Sequence, residues 1–195
     1  MGNEISFKDN IRVSSHTTIS MDGYLSRENG DASWLGPIYA KQNQDNDYGW
    51  KAYFETIDCL LLGRKSYEDA SEGLWDTYKG KLIIVMSTSL TTEAPHVDQV
   101  FDGKDCKALL RDLWEKGIKH IKVAGGTAIQ HFVSQGCMGE MIIATAPQLL
   151  GHGRRLFEKS LPVIDETTWE ILSEYFQDSG IVQTTHKKPL DLKST

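Results

Sequence analysis

Three short stretches of this chain bring glycine, hydroxyl and cationic residues to points where an apolar run stops. They are Gly63-Arg64-Lys65-Ser66, Ser87-Thr88-Ser89 and Gly125-Gly126-Thr127. These residue types suit an anion. Glycine lets the backbone approach a phosphate closely, and a helix N-terminus offers unpaired N–H groups with roughly half a positive charge. Arg64 or Lys65 can neutralise what binds. Each stretch alone reads equally well as a tight turn beside solvated cations. Three at equivalent strand exits point to a ligand with several phosphates, such as a dinucleotide.

Two better-known phosphate motifs do not apply. GHGRRL (151–156) lacks the third glycine and the strand-to-helix setting of a dinucleotide fingerprint, and GRKS lacks the upstream glycine of a P-loop. The six histidines and three cysteines show no zinc-ligand spacing, and the HxE and PCxxC signatures of a zinc deaminase are absent, so no metal is expected.

A carboxylate and two indoles complete the candidates. Asp47 lies three residues before Trp50 on a predicted helix. It reads either as an N-cap or as an acid at the rim of a cleft. In the second case desolvation would raise its pKa toward proton transfer, and it could hydrogen-bond the amidine-like edge of a pyrimidine or pterin. Trp34, in a polar loop, is either a ring that stacks on a ligand or an anchor for the loop. His16 and His131 read as packing residues.

The elements that must position these groups follow from periodicity. Residues 11–19 alternate as a first strand, and Asp22-Gly23 closes it as a turn. A long polar loop, 26–39, follows. Trp50, Tyr53, Phe54 and Ile57 mark one buried face of a helix over 47–56. Buried strands are expected at 57–62, 81–87, 118–124 and 140–146, with a weaker one at 96–101. Helices are expected at 104–116, stopped by Gly117, and from Gly126 to Gly136. Residues 168–176 and 180–188 flank Gln177-Asp178-Ser179 as an antiparallel hairpin. The sum is an α/β domain with a mostly parallel sheet, helices on both faces and an antiparallel edge.

Composition bounds the partners. The chain has 195 residues, 39% hydrophobic, enough for one domain with a core. A net charge of −6 without a Lys/Arg block argues against nucleic acid or an anionic membrane. No apolar run approaches a membrane span, and the polar opening MGNEISFKDN predicts no cleaved leader. Cys59, Cys106 and Cys137 read as buried, reduced thiols of a cytoplasmic protein.

On these residues the chain resembles known enzymes. DYGWKAYFETIDCLLLGRKSYE is similar to the helix–strand–loop core of dihydrofolate reductases, including the sixteen-residue spacing from Asp47 to Gly63. KLIIVMSTS and VAGGTAIQHF resemble that family's other two cofactor loops. SMDGYLSRENGDASWL and PQLLGHGRRLF look like the reductase domain of the bifunctional riboflavin-biosynthesis deaminase-reductase, in a stand-alone form. In that group a Glu precedes the paired glycines, where this chain has Ala124.

The resemblance implies a single three-layer reductase domain with a mixed, mostly parallel sheet of about eight strands, its core spanning about 11–186 between polar tails. It implies NADPH as cofactor and a pterin- or aminouracil-like heterocycle as substrate. Gly63, Arg64, Lys65 and Ser66 would hold the pyrophosphate from one side, and Gly125, Gly126, Thr127 and Ala128 from the other. Ser87 and Thr88 would lie near the adenosine 2′-phosphate. Asp22, Trp34 and Trp50 would line the nicotinamide and substrate cleft, with Asp47 as the catalytic acid. Riboflavin-type reductases are commonly dimers, so a homodimer is implied. The alternative is a non-catalytic nucleotide-binding or ligand-sensing protein that retains the fold.

Overall fold

The computed structural model describes residues 11–42, 45–159 and 168–188. Strands are β1 (Arg12–Ser20), β2 (Tyr24–Ser26), β3 (Cys59–Gly63), β4 (Leu82–Met86), β5 (Gln99–Phe101), β6 (His120–Ala124), β7 (Glu140–Ala146), β8 (Arg154–Arg155), β9 (Glu170–Phe176) and β10 (Val182–Lys187). Helices are α1 (Gly36–Tyr39), α2 (Trp50–Glu55), α3 (Arg64–Glu68), α4 (Glu72–Thr77), α5 (Cys106–Glu115) and α6 (Gly126–Ser134).

Eight strands form one sheet in the order β5-β4-β3-β6-β1-β7-β10-β9, and β2 pairs with β8 beside it. From β5 to β7 every pairing is parallel. The hairpin β9–β10 then adds two antiparallel edge strands, as its turn residues predicted. Parallel strands need crossovers, and these place helices over both faces. Leu109, Leu113, Ile129 and Phe132 of α5 and α6 pack with Leu61, Ile84, Ile121 and Val123 on one face. Tyr53 of α2 packs with Leu60, Leu62 and Ile142 on the other, where Leu74 and Trp75 of α4 also lie. Covered on both sides, β3 is buried along its whole length, which is why CLLLG is a continuous apolar run.

Two elements differ from their sequence expectation. The helix expected from Asp47 starts at Trp50, because Tyr48 and Gly49 adopt positive φ (50° and 82°) and break the helical path. The expected long loop is partly ordered. It holds the end of β2, a 3-10 turn over Ser33–Leu35, and α1, which carries Pro37 in its first turn. Among the described residues no helix is long and apolar enough to cross a membrane.

Candidate functional site

The parallel strands end along one rim, where β3 runs straight into α3 and β6 into α6. That junction joins the two glycine stretches. A Cβ added to Gly63 would stand 3.7 Å from the Ala128 Cβ, and one added to Gly125 would stand 2.2 Å from Ser66 Oγ. Gly125 has φ +90°, a conformation that L side chains rarely adopt, so glycine is required there twice over. A cavity of about 820 Å³ opens at this rim, lined by Gly63, Arg64, Lys65, Ser66, Gly125, Gly126 and Thr127 from the predicted loops. Ala128 is fully buried behind them.

The lining also contains groups that sequence reasoning missed. Arg154 and Arg155 enter from β8, together with Asp69 and Glu158. Four cations thus face three carboxylates there, once Glu28 is included. Arg154 Nη1 pairs with Asp69 at 3.2 Å. Arg155 lies 4.3 Å over the Tyr24 ring and donates to its hydroxyl at 2.8 Å. Arg64 donates to Glu68 and to Ser89 Oγ, both at 2.7 Å, which ties α3 to the loop after β4. Lys65 is exposed and has no ion-pair partner among the described residues. A signal for Arg154 and Arg155 was present in GHGRRL, but only the pairing of β8 with β2 turns them over the glycines.

A larger groove, about 1110 Å³, lies at the opposite end of the sheet along the starts of β3 and β4. Glu55, Asp58, Glu72, Asp76 and Asp98 line it against Lys79 and Lys81. That excess of carboxylates disfavours an anion, so the smaller cavity is the better candidate for one despite its size. Among the described residues no group of three His, Cys, Asp or Glu side chains could hold a metal.

Ser87 and Thr88 sit just beyond the cavity, where Met86 forms part of the lining. Ser87 Oγ accepts from the N–H groups of Ser89 and Leu90, which shapes this strand exit into a turn. Thr88 is exposed.

The remaining predicted residues do not line this cavity. Asp47 is a correction. Its carboxylate is exposed and accepts from the N–H of Lys51 (2.8 Å) and Gly49 (3.0 Å) at the start of α2. Those two bonds, Lys51 first, hold its pKa below the usual carboxylate value, the opposite of the raised pKa a general acid needs. Trp34 is a second correction. It is buried with Ile38, Ala144, Ala146 and Ile181, so its ring anchors the loop, although its Nε1 has no hydrogen-bond partner among the described residues. Asp22 is a tether. It accepts from Ser20 Oγ (2.5 Å) and from the N–H groups of Gly151 (2.7 Å) and Leu150 (3.2 Å), which lower its pKa to about 2.

Trp50 lies half-buried over a polar cluster on the α2 face. Its ring is 5.0 Å from His16 and 5.7 Å from Tyr53, and Lys122 Nζ stands 4.6 Å from its centroid. Lys122 also donates to Tyr78 at 2.8 Å. Burial lowers the Lys122 pKa to about 8. Burial, then the Lys122 charge, lowers that of His16 to about 4, while a hydrogen bond with Gln183 opposes them. The sequence signal for this cluster is a lysine in the middle of the apolar strand IKHIKVA.

The sheet order is that of the dihydrofolate reductase-like fold. A dihydrofolate reductase of Enterococcus faecalis, solved with NADP(H), matches with a TM-score of 0.59 over 92% of this chain and 97% of its own, at 14% identity. Within that class the family model of the RibD C-terminal domain matches residues 12–177, and the chain belongs to this family. A putative riboflavin biosynthesis protein from Shewanella sp. PV-4 is 25% identical, with a TM-score of 0.75 over 92% of this chain and all of its own. The diaminohydroxyphosphoribosylaminopyrimidine deaminase/5-amino-6-(5-phosphoribosylamino)uracil reductase of Thermotoga maritima is 14% identical, with a TM-score of 0.64 over 93% of this chain and 58% of its own.

Proposed function

We propose that the protein is an NADPH-dependent reductase of the riboflavin type, acting on a pterin- or aminouracil-like heterocycle. The observation that carries this reading is the rim cavity in which Gly63–Ser66 and Gly125–Thr127 face each other. Its glycines let the surrounding loops close on one another without a Cβ between them, four cations face three carboxylates in its lining, and its volume falls within the range of small-molecule sites, roughly 300–1,000 Å³. When bound, NADPH would supply a hydride.

The protein's part is positional. Gly63, Ser66, Gly125 and Gly126 would hold the pyrophosphate with backbone N–H groups and a hydroxyl, and Lys65 would neutralise it. Arg64, Ser87 and Thr88 would meet the adenosine end. Asp22 fixes the β1–β2 turn through Ser20, Leu150 and Gly151. Asp47, ionised at neutral pH, holds the start of α2 and through it Trp50, and water supplies the proton that balances reduction.

Titration with NADPH, followed by addition of dihydrofolate, other pterins or the ribosylaminouracil phosphate, tests the reading. Loss of the nicotinamide absorbance with one of these heterocycles is the expected result. Tight NADPH binding with no oxidation across the set would instead favour the ligand-sensing alternative, and absence of binding would exclude both.

A further inference from the structure

Three arginines line the rim cavity, and two of them are firmly engaged. Arg64 is held by Glu68 and Ser89. Arg155 is stacked on the Tyr24 ring and donates to the Tyr24 hydroxyl (2.8 Å) and the Asp22 carbonyl (3.2 Å). Arg154 is held less tightly. Its Nη1 meets Asp69 at 3.2 Å, and its Nε donates to the Glu28 carbonyl at 3.1 Å. The Asp69 side chain is 51% exposed and that of Arg154 28%, so the pair is partly hydrated and contributes little to stability.

The backbone under Arg154, by contrast, is fixed. Arg154 pairs with Ser26 in the β2–β8 ladder. A Cβ on Gly153 would stand 2.2 Å from the Ser26 carbonyl oxygen, and one on Gly126 2.9 Å from the Arg155 carbonyl oxygen. β8 is thus wedged between β2 and the second glycine loop, with Arg154 next to the Gly126 contact. From this anchored point the side chain extends to Asp69, just beyond α3. Gly30, at φ +91°, lies against the ion pair: a Cβ there would stand 2.9 Å from both Arg154 Nη1 and Asp69 Oδ2. Glu28, Gly30, Asp69 and Arg154 line the same cavity as Gly63, Ser66 and Gly125.

We propose, resting on the cofactor reading above, that Arg154 is a pyrophosphate-binding residue which Asp69 and the Glu28 carbonyl hold in place until the ligand arrives. Binding then exchanges partners. The guanidinium gives up one hydrated carboxylate and one carbonyl for two phosphate oxygens, which its planar fork meets in parallel. Asp69, already half in solvent, returns to water at little cost. The exchange also releases the backbone at Glu28 from the guanidinium, so occupancy of the cavity is felt by the loop after β2. Ser87 and Ser89 lie outside this lining, so the group that Arg154 meets is the pyrophosphate and not the 2′-phosphate.

Calorimetric titration of NADPH and NADH into the wild type, Arg154→Gln, Asp69→Asn and the double variant tests the exchange. NADH carries the pyrophosphate without the 2′-phosphate, so Arg154→Gln is expected to weaken both nucleotides by the same factor, about 10–100-fold. Asp69→Asn is expected to tighten NADPH by up to about fivefold, with a smaller gain when Arg154 is already Gln. Should Arg154→Gln fail to fold, Arg154→Lys keeps the charge without the fork and should still bind both nucleotides more weakly than the wild type. A folded Arg154 variant with undiminished affinity overturns the proposal and leaves the cofactor reading standing. A loss confined to NADPH overturns it by moving Arg154 to the 2′-phosphate, and so does an equal gain from Asp69→Asn in both backgrounds. A wild type that binds neither nucleotide removes the cofactor reading and the proposal together.

Discussion

Gly125 and Ser66 are in contact across the rim of the sheet: a Cβ on Gly125 would stand 2.2 Å from the Ser66 hydroxyl and 3.2 Å from its Cβ. Two loops more than fifty residues apart in the chain are thereby locked into one concave surface. Gly125→Ala meets both the contact and the φ of +90°, which costs a non-glycine residue about 1–2 kcal/mol. The expected result is a lower melting temperature and at least a tenfold loss of NADPH affinity. Adding Ser66→Gly should recover part of the stability, since it removes the contact but not the backbone strain.

Asp47 is expected to act through α2. Asp47 accepts through both carboxylate oxygens and asparagine has one acceptor, so Asp47→Asn should retain most turnover and lose part of the stability, while Asp47→Ala should cost about 1 kcal/mol. Urea denaturation and steady-state kinetics of the two variants check this. A loss of turnover beyond about 100-fold in the Asn variant alone would return Asp47 to the chemistry.

Lys122 is buried with an aromatic face and a tyrosine hydroxyl for company. Its folded pKa, about 8, lies below the unfolded value of 10.5. Stability is therefore highest above the unfolded value and falls as pH drops from about 10.5 to 8, after which the loss is complete. Lys122→Met is expected to stabilise the protein at pH 7 by about 1–3 kcal/mol, less whatever Tyr78 loses as a partner, and the gain should shrink toward pH 10. Denaturation midpoints measured across that window decide it.

His16 and His120 titrate on the acid side. Both have pKa values lowered to about 4, chiefly by burial, with Lys122 adding to the effect on His16 and Arg12 to that on His120. The stability linked to them is present above about 6.5 and is lost as pH falls toward 4. A slope of up to about 1.4 kcal/mol per pH unit for each is expected in unfolding free energy. Replacing both with Gln should flatten that slope.

The sheet and the meeting of the two glycine loops at its rim were legible in the sequence because they rest on local rules. Continuous apolar runs such as CLLLG and KLIIVMS report strands covered on both faces, and glycine at a strand exit reports a turn whatever lies beyond it. The places of Asp47 and Trp34 were not legible. Whether Asp47 faces a cleft or a helix end depends on φ at Tyr48 and Gly49, and whether Trp34 meets ligand or core depends on how its loop folds onto Ala144 and Ala146. Arg154 and Arg155 were hidden for a similar reason, since a two-residue strand such as β8 has no periodicity to detect.

The most direct test maps amide shifts in an isotopically labelled chain as NADPH is added. The account predicts saturable shifts concentrated at the N–H groups of Gly63, Ser66, Gly125 and Gly126, with Asp76 and Asp98 in the opposite groove unmoved. Shifts confined to that acidic groove, or none anywhere at saturating NADPH, would contradict it.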